Sequence, residues 1–188
     1  MDLNTKYKQA RDIVLSFLKD NKIDNVNTYA SFTAVDVFKL GAELGFDIRG
    51  AFIPDSDVLG VLVVNEKECK IEGFNSNKVI VYNNYIPFED SARAINLTNT
   101  IIAYELANYI FKKKVKKVDK LVMGDMYKQK RKRKNNMIFI IADTINNPLA
   151  YADSDIKIND ALLSNKLSED LLASSIKTLK HVKVGKEK

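Results

Sequence analysis

The feature that most constrains this chain is the run from Phe88 to Lys112, FEDSARAINLTNTIIAYELANYIFK. Phe88, Ala92, Ile95, Ile102, Leu106, Tyr109 and Ile110 fall along one broad helical face, so a long helix over 88–112 is expected, entered at a cap on Asp90 or Ser91. A helix with that much apolar surface needs a layer to lie on. The preceding sequence supplies one in three short β-branched runs, Phe46–Ile53, Val58–Val64 and KVIVYNN at 78–84, punctuated by Gly50, Pro54 and Gly60 and by the turn PDSD. Connections this short predict a small three-stranded sheet, mixed or antiparallel, within 46–84.

The rest of the chain reads as helices around that pair of layers. Residues 3–20 place Ala10, Ile13, Val14, Phe17 and Leu18 at helical spacing, and 33–45 make a second helix that stops at Gly45. A basic connector, 112–134, follows the long helix and carries a break at VMGDM. MIFIIADTI, at the centre of a helix over 136–146, is apolar nearly all round, which predicts burial; Asn146, Asn147 and Pro148 stop it. Two small helices near 156–163 and 168–181 complete the expected plan. Strands grouped together and helices on either side of them in sequence give an α+β class, in one domain over 1–188.

Composition excludes several functions. No apolar run approaches the ~20 residues of a membrane span, and the mixed charge of MDLNTKYKQARD is unlike a signal peptide, so no membrane role and a cytoplasmic location are expected. The only cysteine, Cys69, and the only histidine, His181, lie far apart, which leaves little from which to build a zinc site. No cofactor is expected.

Within the long helix, Ala103-Tyr104-Glu105-Leu106-Ala107-Asn108-Tyr109 resembles the A-H-E-L-G-H-Y helix of the ImmA/IrrE family of small zinc peptidases. VFKLGAELGFDI and KVIVYNN resemble that family's N-terminal helix and strand, and NNMIFIIADTINNP resembles the stretch that opens on its third ligand, a Glu. Aligning on Pro148 puts Asn135 at that third position. The resemblance implies a zincin-like fold with all three metal positions changed, to Tyr104, Asn108 and Asn135. Such a peptidase needs two imidazoles and a carboxylate around zinc, with an open position for the attacking water. A phenol, ordinarily protonated below pH ~10, is a poor ligand, and amide oxygens suit harder cations. Glu105 is then vestigial, and no metal is expected. Tyr104 is expected to fill the vacated volume, its hydroxyl on Glu105 or Asn135, and Asn108 to bond Asn135.

The second feature above background is charge. The net charge is +6, yet 112–134 holds twelve Lys or Arg against Asp119 and Asp125, a local balance of +10, so the remainder is net acidic. Lys128, Lys130, Arg131, Lys132, Arg133 and Lys134, with Tyr127 available to stack, form the expected partner-binding segment, facing an acidic protein or nucleoprotein complex, or nucleic acid. The resulting expectation is an inactive ImmA/IrrE-like pseudoprotease that acts by binding. Natural versions are a phage or mobile-element regulator, an antirepressor, or an inhibitor of a host defence complex such as a nucleic-acid-guided nuclease. Two alternatives stand beside it: a nucleic-acid-binding module led by 128–134, and a residual metal-dependent peptidase using Glu105 with a hard cation on Asn108 and Asn135.

Overall fold

The computed structural model describes residues 3–23, 36–67, 69–85, 91–128 and 137–146. Its elements run α1 (Leu3–Asp20), α2 (Val37–Glu43), β1 (Asp47–Ala51), β2 (Val58–Asn65), β3 (Lys78–Asn83), α3 (Ser91–Lys114), β4 (Val122–Lys128) and α4 (Met137–Asn146). The class is α+β, with four helices and a four-stranded mixed sheet among the described residues. The expected helices 156–163 and 168–181 lie outside them.

Local chemistry sets the boundaries. The Asp36 carboxylate caps α2, accepting from the Phe38 and Lys39 N–H groups at 3.0 Å each. Gly45, at φ +78°, ends the helix as expected. Its N–H donates to Ala42 O and the next, from Phe46, to Gly41 O, the paired return bonds of a Schellman turn.

The sheet order is β1-β3-β2-β4, with β1 parallel to β3 and β2 antiparallel to both β3 and β4. The expected three strands are present, and a fourth is added. VMGDM, expected to break the basic connector, is the body of β4. Gly124 and Asp125 are ordinary turn residues, and they conceal a period of two in which Met123, Asp125 and Tyr127 turn inward while Val122, Gly124, Met126 and Lys128 turn out.

β3 and β4 run the same way with β2 between them, so the β3–α3–β4 connection lays α3 across one face of the sheet. On its other sides α3 meets α4, α1 and α2. Residues 101–110 are therefore buried around the whole helix, more than the one broad face expected. Close approach depends on Gly60 of β2, where an added Cβ would lie 2.5 Å from Ile101 Cγ2. The core is Val14 and Phe17 of α1, Leu40 of α2, Leu62 and Ile80 of the sheet, Ile102, Leu106 and Ile110 of α3 and Ile141 and Ile145 of α4. Among the described residues no helix is long and apolar enough to cross a membrane.

At the C-terminal end of α3, Glu66 ties three elements together. Its carboxylate accepts from Tyr109 Oη at 3.0 Å, Lys113 Nζ at 2.6 Å and the Leu121 N–H at 3.2 Å. Burial alone would push this carboxyl up, but those donors together more than offset it and hold it below the ordinary range. Burial, then the neighbouring Glu66 charge, pushes Tyr109 up. Lys78, over the rings of Phe46 and Tyr109, is pushed down chiefly by burial, with Lys113 adding repulsion and Glu66 partly compensating.

Candidate functional site on the central helix and fourth strand

Tyr104, Glu105 and Asn108 sit in the buried middle of α3, where the helical repeat turns positions 104 and 108 toward the same side. The Tyr104 side chain is 1% exposed. Its ring stacks on Tyr127 of β4 with centroids 4.1 Å apart and planes 18° apart, and it touches Phe139 of α4 at 4.8 Å. Phe139 closes the triangle against Tyr127 at 6.0 Å. The expectation that Tyr104 fills volume is met by packing between two aromatic rings, an arrangement favourable beyond the area it buries.

Asn108, 1% exposed, makes a bond that the motif did not announce. Its Nδ2 donates to Asp125 Oδ2 at 2.8 Å, across from α3 to β4. Asn135 lies outside the described residues. Asn108 Oδ1 is buried and has no hydrogen-bond partner among the described residues. Asp125 is the site residue that the sequence reading missed, counted only as a charge in a connector. Alternation with Tyr127 was the signal that could have found it, had the strand been recognised.

Glu105 is completely buried. Oε1 lies 3.4 Å from where a Cβ would stand on Gly60, so the same glycine that admits Ile101 also admits the carboxylate. Enclosed between helix and sheet, this group is out of reach of a peptide bond unless α3 parts from β2. The residues present do not suit zinc. Tyr104 is engaged in ring stacking, and Asn108 turns an N–H donor toward the Asp125 carboxylate. Among the described residues, no group of three or more His, Cys, Asp or Glu side chains could hold a metal ion.

No family model, no curated protein and no solved structure matches this chain. Its own geometry therefore carries the functional reading.

The basic segment is described only at its start. Lys128, at the end of β4, is exposed and sits 3.5 Å from Asp55 on the loop before β2. Lys130, Arg131, Lys132, Arg133 and Lys134 lie outside the described residues. Tyr127 corrects the sequence reading. It was expected at the surface, available to a base, and it is 3% exposed with its ring committed to Tyr104. The reason is the parity of β4, which turns residue 127 inward and 128 outward. Cys69, the only cysteine, is exposed and free.

Proposed function

We propose that this chain is a catalytically inactive, ImmA/IrrE-like pseudoprotease that works by binding an acidic protein or nucleoprotein surface through the basic segment beginning at Lys128. The observation that carries the reading is the closed aromatic triangle of Tyr104, Tyr127 and Phe139. Where the family resemblance implies a metal ligand and an open position for water, this chain has packed rings. Hydrolysis by metal-activated water needs that open position. With it filled, the helix serves as scaffold, and the local charge of +10 over 112–134 is the strongest remaining source of specific attraction.

The burial of Tyr127 favours a protein partner over nucleic acid. A surface for single-stranded nucleic acid combines cations with exposed aromatic rings, and the aromatic nearest this cation run is buried. An acidic protein requires only the cations. A regulator or inhibitor encoded by a phage or mobile element, acting on a repressor or a host defence complex, fits this mode of action.

The test is affinity capture from a bacterial lysate with the full chain, compared with a variant in which Lys128, Lys130, Arg131, Lys132, Arg133 and Lys134 are replaced by Gln. The reading expects a captured protein of intact mass that the neutralised variant fails to retain. Cleavage of the captured protein, or capture unaffected by neutralisation, would overturn it.

A further inference from the structure

β4 ends the sheet order, and its outer side carries no strand among the described residues. The Glu66 N–H donates to Leu121 O at 2.9 Å, which fixes the parity of the β2–β4 ladder. Odd-numbered residues of β4 bond to β2, so Val122, Gly124 and Met126 turn their main-chain N–H and C=O groups to the open side. The Met126 N–H donates to its neighbour's carboxylate, Asp125 Oδ1, at 2.9 Å. A side-chain oxygen stands there where a partner strand would place a carbonyl.

Three further observations concern what this edge is suited to meet. Val122 and Met126 are 56% and 52% exposed, although proteins generally blunt the apolar character of an open edge. Gly124, between them, has nothing within 4 Å of an added Cβ, and its φ is not in the left-handed region, so its own fold does not demand glycine. An interior strand glycine with space around it suits close approach of another backbone. Exposed Lys117 and Lys120 precede the strand, Lys128 ends it, and five more cations follow at 130–134.

We propose that an extended acidic segment of a partner protein adds to β4 as a fifth strand, its main chain pairing with Val122, Gly124 and the Met126 carbonyl and its carboxylates meeting the flanking lysines. This rests on the reading of the chain as a binder and names how the partner is held. Strand addition supplies affinity through main-chain bonds and specificity through alternate side chains. A second copy of this chain is the wrong occupant, because antiparallel pairing centred on Gly124 sets Lys120 of one copy opposite Lys128 of the other. Nucleic acid has the charge but no peptide groups with which to continue the ladder.

The test uses the full chain and a fluorescent short peptide of alternating Glu and Val, read by anisotropy at low salt. A second peptide is identical except for N-methylation of alternate amides, which removes ladder donors without changing charge. The expected result is binding of the first and a roughly ten-fold or greater loss with the second, the equivalent of one or two main-chain hydrogen bonds. Gly124→Pro, which deletes an outward-facing N–H at an edge position where proline is tolerated, should weaken the first peptide similarly while leaving the melting temperature within a few degrees. Lys128→Glu gives an independent readout by lowering affinity and flattening the salt dependence. Equal binding of the two peptides, no binding of either, or displacement by an oligothymidylate together with indifference to N-methylation would overturn the proposal. Capture that still depends on the basic segment would then leave the binder reading standing, whereas loss of that dependence would remove both.

Discussion

Replacing Asp125 with alanine probes the contact between α3 and β4 directly. The Asn108 side chain is 1% exposed, and its Nδ2 reaches the Asp125 carboxylate at 2.8 Å. A hydrogen bond to a charged group contributes about 1.5–3 kcal/mol, and the amide left stranded in the core adds part of its own desolvation cost. Together these give a loss of about 2–4 kcal/mol for Asp125→Ala. At about 2–4 °C per kcal/mol for a chain of this size, the melting temperature should fall by roughly 5–15 °C. The assay is urea unfolding followed by far-ultraviolet circular dichroism and tyrosine emission, the chain having no tryptophan. Asp125 also accepts the Met126 N–H, so a double-mutant cycle with Asn108→Leu is needed to isolate the pair. Asn108→Leu combined with Asp125→Val should recover much of the loss, because replacing both partners by apolar groups strands neither. A cost below ~0.5 kcal/mol for Asp125→Ala, or a cycle showing no coupling, would refute the assignment of these two residues to a structural clasp.

Further consequences follow from the same packing. Tyr104→Ala removes a ring held between Tyr127 and Phe139 and should cost about 3–5 kcal/mol in chemical unfolding, with Tyr104→Phe costing far less because the stacking is kept. Gly60→Ala forces a Cβ to within 2.5 Å of Ile101 Cγ2 and should destabilise by about 1–3 kcal/mol, whereas Gly124→Ala, with open space, should be close to neutral. Glu66 is held below its ordinary pKa in the folded state, so its contribution is fully present above the unfolded value near 4.5 and fades as pH falls through the lower folded value. Glu66→Gln should therefore lower the melting temperature at neutral pH and flatten its decline in acid. An unchanged acid limb would show that other carboxylates set it.

The long helix was legible because its pattern is self-contained. Apolar residues recur at helical spacing from 88 to 112, and α3 occupies Ser91–Lys114. The three β-branched runs were legible for the same reason, and each became a strand. β4 was not. Its inward residues are a methionine, an aspartate and a tyrosine, and its outward residues include a glycine and a lysine, so no β-branched run announces it. It is a strand because β2 offers an open ladder beside it and Tyr127 finds a ring to stack on, which are tertiary causes.

Missing β4 had consequences for the site. Without the strand, Tyr127 counted as a surface aromatic and Asp125 as one more charge in a connector. Both are inward positions that meet Tyr104 and Asn108. Tyr104 and Asn108 stood out through the motif they resemble, but the partners that receive their side chains come from a segment 17 or more residues away. The full burial of Glu105 was hidden likewise, since a glutamate on a helix ordinarily marks the solvent face, and only the crossover of α3 between sheet and helices encloses it.

The central claim, that α3 is a closed scaffold, is tested most directly by the metal content of the purified full chain after zinc loading and exhaustive dialysis, read by inductively coupled plasma mass spectrometry. The expected result is zinc at background, with the melting temperature unmoved by zinc or by chelator. Stoichiometric zinc that survives dialysis and raises the melting temperature would contradict it, since Tyr104 and Asn108 would then have to leave Tyr127 and Asp125 to make room for the ion.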